Sequence, residues 1–280
     1  MKILVIGASG FVGGYLLEHF HGIGTSTTGA NGFKKLDLTV PQEIVDVMRS
    51  VEPDVVINSS GITNVDLCEI HPDLAMTVNG TSLGGVASEC RRTGAKLIHI
   101  STDYVFDGER GNYKESDQTD PVNRYGASKL LGEKLVADGQ YSILRISTPY
   151  GPNLNRNKET FFEFVSKRLG VAEHVRAATD LYTTPTFVGD ISAAVEVMIK
   201  EHLNGMFHLG GSRRLSRYEF SQMIAKSQGT DPELVVPCLS TDLPFRAKRP
   251  HDTSLDSSKI RRYLDLSQIE KSLHYTISFE

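Results

Sequence analysis

The feature that most restricts this chain is a glycine-spaced turn, Gly7-Ala-Ser-Gly10-Phe-Val-Gly13, set between an apolar strand and a helical pattern. Residues 2–6 read KILVI; residues 11–20 read FVGGYLLEHF, with apolar side chains at helical spacing. A chain that leaves a strand and enters a helix within a few residues needs backbone geometry and close approaches that a Cβ blocks. It also aims the first unpaired N–H groups of the helix outward, at the positive end of its dipole, where an anion is favoured. Gly7 suits the tight turn, Gly10 the approach of backbone to a pyrophosphate, and Gly13 close packing of helix on strand. A merely flexible turn is the bland alternative. The position directly after the first strand favours nucleotide binding, with Ser9, Phe11 and Val12 completing the loop.

Strand and helix patterns continue to alternate. Residues 41–51 read as a helix with Thr39 as N-cap and Pro41 in its first turn, 54–57 as a strand, 74–92 as a long helix and 96–100 as a strand. A helix over 124–137 and a strand over 142–146 follow. Near-continuous apolar strands separated by helices predict a doubly wound α/β fold, its parallel sheet covered on both faces. Beyond residue 146 the alternation loosens: helices over 160–169, 188–202 and 217–228, a strand over 206–209, a proline-bearing loop over 237–252 and a helical segment near 257–263. The expected organisation is an NAD(P)-binding domain over 1–150, with 186–210 returning to it. A smaller substrate lobe is expected from 151–185 and 211–280, with no flexible linker between the two.

Composition narrows the function. Of 280 residues, 39% are hydrophobic and 23% charged, with a mean hydropathy of −0.21, which suits a packed globular chain. Thirty basic against thirty-four acidic residues give a net charge of −4, without the basic footprint of a nucleic-acid binder. Cys68, Cys90 and Cys238 are far apart and form no CxxC, so neither a disulfide framework nor a zinc site is expected. The nine histidines show no metal-ligand spacing, and His99, inside a strand, reads as a core residue or a support for a ligand. The apolar start breaks at Gly7, too short for a signal peptide or a membrane span. A cytoplasmic protein acting on a small molecule is expected, with no metal.

Two further patterns carry chemistry. In Tyr125-Gly-Ala-Ser-Lys129 the phenol and the ammonium lie four residues apart on one helix face. At a separation of about 5 Å and an effective dielectric of about 20, the lysine favours the phenolate by roughly 3 kcal/mol. That predicts a tyrosine depressed by about two pKa units, able to pass a proton to or from a carbonyl oxygen. A surface Tyr–Lys pair is the bland reading. In Ile100-Ser101-Thr102-Asp103-Tyr104-Val105-Phe106-Asp107-Gly108, a hydroxyl from Ser101 or Thr102 falls at the C-terminal end of a strand, where ligands of open α/β sheets bind. Thr102 and Asp103 equally suit capping of the next turn.

With these three motifs, and with Asn58-Ser59-Ser60-Gly-Ile-Thr63-Asn-Val65-Asp66, Val78-Asn79-Gly-Thr81, Pro185-Thr186 and Arg249-Pro250, the chain resembles the dTDP-4-dehydrorhamnose reductase family of extended short-chain dehydrogenase/reductases over essentially its whole length. The GxxGxxG spacing points to the short-chain dehydrogenase/reductase branch, and STDYVFDG is the most discriminating piece. The resemblance implies NAD(P)H-dependent reduction of the 4-keto group of a nucleotide-linked 6-deoxy sugar. It implies Thr102, Tyr125 and Lys129 as the catalytic trio. Gly7, Ser9, Gly10, Phe11, Val12, Asp37, Leu38, Asn58, Ser59, Ser60 and Ser101 are implied at the cofactor. Thr102, Asp103, Val65, Tyr150 and Arg249 are implied at the substrate. Asp37 would accept from the adenine amino group; a plain helix N-terminal carboxylate is its alternative. Arg246, Lys248 and Arg249 form either a solvated loop or a clamp on the substrate diphosphate.

The departures fall on the substrate side. The chain has no tryptophan; where the family places one against the sugar, it reads Arg145-Ile-Ser-Thr-Pro149-Tyr150, and Pro149 or Tyr150 stands in its place. The segment Asp180-Leu-Tyr-Thr-Thr lacks the family's glutamine. Three other functions share the framework. A dehydratase needs a glutamate where Tyr104 stands. A nucleotide-sugar epimerase favours NAD and an acidic residue after the second strand, where this chain has Thr27-Thr28-Gly29-Ala30-Asn31. A non-catalytic NADP-binding regulatory subunit, like that of methionine adenosyltransferase, keeps the same motifs. The missing carboxylate and the pair Lys34-Lys35 predict NADP(H) as the preferred cofactor, with NAD(H) usable. The partner is a nucleotide sugar, without nucleic acid or membrane; a homodimer is left open.

Overall fold

Strands that are apolar on both faces can be stable only under cover on both sides, and the chain meets that demand with one seven-stranded sheet. The computed structural model describes residues 1–137, 141–155 and 159–279. The strands are β1 (Ile3–Ile6), β2 (Ile23–Ser26), β3 (Lys34–Lys35), β4 (Val55–Asn58), β5 (Lys96–Thr102), β6 (Ser142–Ile146) and Gly205–Leu209. Their order is Gly205–Leu209, β6, β5, β4, β1, β2, β3, and every pairing is parallel. Chain direction across the sheet reverses between β1 and β4, the switch point where ligands of such sheets bind. The two faces follow the period of two along each strand. Ile3, Val5, Val55, Ile57, Ile98 and Ile100 pack on Leu16 of α1 (Phe11–Phe20) and on Val188, Ile191, Val195 and Met198 of a long helix, Val188–Lys200. Leu4, Ile6, Val56 and Leu97 pack against Ile44 and Met48 of α2 (Pro41–Val51) and against Leu83 and Val86.

Several local expectations are corrected. The helix expected over 74–92 is three pieces: Pro72–Met76, a π-helical turn Thr77–Thr81 and α3 (Ser82–Thr93). The turn carries Asn79 inward, where its Oδ1 accepts from Ile62 N at 2.7 Å and its Nδ2 donates to Ser128 Oγ at 3.0 Å. Thr39 does not cap α2; Val40 occupies that position, and Thr39 donates its N–H and hydroxyl to Asp37 Oδ1 at 2.9 and 2.7 Å. The strand expected to stop at residue 100 runs on to Thr102. In the stretch expected as loop, Val235–Cys238 pairs in parallel with Val175–Ala178. Residues 257–263 hold only a short 3₁₀ turn, Ile260–Arg262. A terminal helix, Ile269–Phe279, joins Phe161–Gly170 and Arg217–Gln228 around a third core of Tyr150, Phe162, Val165, Phe220, Ile224 and Leu273. Among the described residues no helix is long and apolar enough to cross a membrane.

Candidate active site

The glycine turn is a tight cradle. Gly7 has φ +80°, and a Cβ there would stand 2.7 Å from the backbone nitrogen of Ser60. A Cβ on Gly13 would lie 2.1 Å from the Gly7 carbonyl oxygen, so the helix start can sit this close only without a side chain. Gly10 is the N-cap of α1 and supplies no side-chain cap, and no acidic residue stands in the first turn. The helix N-terminus therefore keeps its attraction for an anion. Far along the chain, Asn155 Nδ2 donates to the carbonyls of Ala8 (2.8 Å) and Gly10 (3.1 Å), holding the loop from outside. These residues fit the pyrophosphate of a dinucleotide.

Beside the cradle lies a cleft of about 370 Å³. Gly10, Phe11, Val12, Ser59 and Ser60 line one part of it. Ser101, Thr102, Asp103 and Tyr104 come from the end of β5 and the turn after it, and Tyr125 and Lys129 from α4 (Arg124–Ala137). Val65, Thr148, Pro149, Thr160, Phe161 and Arg217 also line it. The spacing of four on α4 and the extra length of β5 bring Thr102, Tyr125 and Lys129 to one cavity.

The electrostatics differ from the simple pair expected. Burial pushes the Tyr125 phenol above its ordinary range, with Thr102's hydrogen bond pulling against it. The expected depression by Lys129 is absent. Lys129 Nζ donates to the Ile100 carbonyl at 2.8 Å and lies 3.3 Å from His99 Nε2. Its own burial lowers it to about 8, against a smaller opposing pull from Glu133. Desolvation is the largest influence at both groups. Thr102 Oγ1 is 3.1 Å from Asp103 Oδ1 and accepts from Tyr104 N–H at 3.2 Å, so it also caps the turn. Burial raises the Asp103 carboxyl, while Thr253 and Ser147 hydroxyls at 2.6 and 2.7 Å hold it in place.

One turn beyond Lys129, buried Glu133 accepts from Arg145 Nε (2.9 Å) and Nη2 (2.7 Å) and from Ser101 Oγ (2.5 Å). His208 Nε2 accepts from Arg145 Nη1 at 3.2 Å, with Nδ1–H directed at Tyr113 O at 2.9 Å. Ser101 thus spends its proton on this network, leaving Thr102 as the hydroxyl nearer the phenol.

Two residues expected at the substrate are elsewhere. Tyr150 is 2% exposed, packed on Phe162, Phe187 and Phe220, with its hydroxyl 2.5 Å from Ser272 Oγ. Pro149, its neighbour in a two-residue strand, faces the cleft instead. Arg249 pairs with Asp66 at 3.1 Å, stacks on Phe245 and donates to Ala247 O, so it braces the 245–249 loop and does not line the cleft. Arg217 lines the cleft in addition to Lys129, stacked on Phe161. Nothing in its local sequence marked it, because the fold of the lobe brings it there. Gly7 and Ser9 lie in the loop behind the cradle wall, Leu38 is buried in the core and Asn58 lies beneath the cleft. Asp37 is held low by Thr39 at the entry to α2. Lys35 is bound to Glu43 at 2.7 Å, and Lys34 is exposed beside it on the edge strand. Among the described residues no cluster of three or more His, Cys, Asp or Glu is placed to hold a metal.

Residues 1–277 match the family described as RmlD substrate binding domain. The chain is 31% identical over 281 residues to the probable low-salt glycan biosynthesis reductase Agl14 of Haloferax volcanii, covering 96% of this chain and 94% of that one. It is 30% identical over 275 residues to methionine adenosyltransferase 2 subunit beta of Bos taurus, covering 92% and 81%. A solved dTDP-4-dehydrorhamnose reductase from Bacillus anthracis, in complex with NADP, superposes with a TM-score of 0.90 at 27% identity, covering 99% of both chains.

Proposed function

The chain belongs to the RmlD substrate-binding-domain family, that of the dTDP-4-dehydrorhamnose reductases, and from that membership we propose that it reduces the 4-keto group of a nucleotide-linked 6-deoxy sugar at the expense of NADPH. The observation that carries the reading is the meeting of Thr102, Tyr125 and Lys129 in one cleft beside a glycine cradle at the sheet's switch point.

Gly7, Gly10 and the N-terminus of α1 would hold the dinucleotide's phosphates, with Phe11, Val12, Ser59 and Ser60 along its path. The reduced nicotinamide, when bound, supplies a hydride to the carbonyl carbon. The chain must then deliver a proton to the carbonyl oxygen. Tyr125 is suited to this because a phenol, here raised further by burial, is protonated at neutral pH, so the proton is present to give. Thr102, hydrogen-bonded to Tyr125, gives its one proton to Asp103 here and would turn it to the carbonyl oxygen of a bound sugar. Asp103, fixed by Ser147 and Thr253, holds Thr102 in turn. Lys129 favours the phenolate left after transfer, since a cation close to a newly formed anion in a dry site is strongly stabilising. Val65, Pro149 and Arg217 shape the sugar side, where no tryptophan is available; Arg217 brings a cation to a substrate that carries a diphosphate. The absence of a carboxylate after β2 and the exposed Lys34 support NADPH over NADH.

The test is a panel of nucleotide-linked 4-keto sugars assayed with both reduced nicotinamides on the purified protein alone. Steady oxidation of NADPH with at least one sugar is expected. Cofactor binding without turnover on any of them would favour the subunit role carried by the bovine relative's name.

A further inference from the structure

The mechanism needs Lys129 as a cation, and burial works against it: the residue is 4% exposed. The groups that hold its nitrogen bring no opposite charge. Nζ donates to the Ile100 carbonyl at 2.8 Å and lies 3.3 Å from His99 Nε2, on a ring that burial keeps neutral and that is hydrogen-bonded to Asn58. The opposite charge comes from the same helix. Glu133 follows Lys129 by four residues on α4, the spacing that puts two side chains on one face, and is 2% exposed. Its carboxylate is fixed from two strands. Ser101 Oγ of β5 donates to Oε1 at 2.5 Å; Arg145 of β6 donates to Oε1 through Nε at 2.9 Å and to Oε2 through Nη2 at 2.7 Å. Three donors on two oxygens suit a group that only accepts, which is the ionised form. Arg145 is occupied as well, with Nη1 3.2 Å from His208 Nε2 and its guanidinium over the Phe106 ring. Of this ion pair, Glu133 is the member that acts on Lys129, and it favours the ammonium.

We propose that Glu133 is a positioning residue for the reduction: held by Ser101 and Arg145, it serves as the buried counter-charge that keeps Lys129 an ammonium beside Tyr125. A carboxylate one helical turn away is felt far more in a dry site than it would be in water. The remaining titratable groups around the lysine are His99, Tyr125, Tyr104 and Asp103, the last bound by the Ser147 and Thr253 hydroxyls, with Cys68 packed by Tyr125. On the helices packed against α4, Asp66 pairs with Arg249, Glu69 binds the start of α4 and Glu89 pairs with Arg92; Asp73 and Arg91 are exposed. Lys129 gives up its proton near pH 8, and the phenolate formed in the reaction then has no cation beside it, so kcat/KM falls on the alkaline side. Without the charge on Glu133, burial is less opposed, the ammonium is held less tightly and the fall comes at lower pH. This consequence rests on the reductase reading; the charge of the lysine is a property of the protein alone.

NMR of the cofactor-free protein labelled with ¹³Cε-lysine, with Lys129→Met to assign the resonance, reads the charge directly. In the wild type Lys129 should be an ammonium at pH 6.5; an amine there overturns the proposal whatever the variants do. Glu133→Gln keeps the shape and removes the charge, and should lower the ionisation midpoint by about one pH unit, a tenfold loss of proton affinity. If stranding Arg145 keeps that variant from folding, Glu133→Gln/Arg145→Gln removes both charges of the pair and should lower the midpoint in the same direction. In turnover the alkaline limb of kcat/KM should move down with the midpoint, so that a deficit approaching about tenfold above pH 8.5 closes by about pH 6. A merely structural role predicts a deficit of one size at every pH. A midpoint within about 0.3 unit of the wild type in folded variant protein, or a deficit that does not change with pH, overturns the proposal. A midpoint that falls in a protein that oxidises NADPH with no keto sugar upholds the hold of Glu133 on the lysine and rejects the reductase reading.

Discussion

Lys129 is 4% exposed, and burial lowers it from the ordinary 10.5 to about 8. In the unfolded chain it returns to the ordinary value. Below pH 8 both states hold the proton, and the folded protein bears the whole penalty of a charge kept out of water. Between pH 8 and 10.5 the folded state has released the proton and the unfolded state still binds it, so wild-type stability rises with pH through that window. The difference of about 2.5 units corresponds to about 3 kcal/mol at 1.36 kcal/mol per unit. Lys129→Met keeps an unbranched chain in the same space and removes the charge. It also removes the hydrogen bond to the Ile100 carbonyl, at a loss of about 1 kcal/mol. The variant should therefore be about 2 kcal/mol more stable at pH 7, and close to wild type by pH 10, while losing activity. Urea unfolding followed by circular dichroism reads this directly. With a slope of about 3 kcal/mol/M, the midpoint should rise by about 0.7 M at pH 7. A variant less stable than wild type at pH 7, or an advantage that persists undiminished at pH 10, would show that Lys129 is held for the fold and not in spite of it.

Tyr125→Phe should lower the rate by about 10² to 10⁴ and leave the NADPH Kd nearly unchanged, because only the proton donor is lost; a variant within twofold of wild type removes the tyrosine from the mechanism. Gly13→Ala would force a Cβ to 2.1 Å from the Gly7 carbonyl; NADPH binding by fluorescence titration should weaken at least tenfold, and unchanged binding would mean the cradle does not hold the cofactor. NADPH should exceed NADH in kcat/KM by a modest factor, and Lys34→Ala should raise the KM for NADPH alone by roughly the worth of one exposed charge contact, a few-fold. A tenfold advantage for NADH refutes that assignment. Asp37→Ala should weaken both dinucleotides if its carboxylate meets the adenine, whereas equal affinities would leave it only the turn with Thr39 at the entry to α2.

What the sequence made legible, and what it did not, divides on whether a signal is local. Apolar runs and the glycine turn depend on neighbours along the chain, so the parallel sheet and the cradle could be read in advance. The π-turn at Thr77–Thr81 could not: helical spacing persists through it, and only the buried contacts of Asn79 to Ile62 and Ser128 show why the extra residue is there. Pro149 and Tyr150 form a strand of two residues, and successive side chains on a strand point to opposite faces. Which of the two faces the cleft is a question of register against Thr186–Phe187, and the larger aromatic went to the third core. The Tyr125–Lys129 pair failed in a more instructive way. Spacing on a helix gives proximity, and proximity alone predicts an acidified phenol. It says nothing of how much water surrounds the pair, and here desolvation moves the phenol up and the amine down. The consequence is chemical. A buried neutral phenol is a reservoir for one proton and needs no help to hold it; what needs help is the phenolate formed once the proton has gone. The group whose charge matters to the reaction is then the lysine, and what it touches, the Ile100 carbonyl and His99, belongs to a strand and not to its own helix.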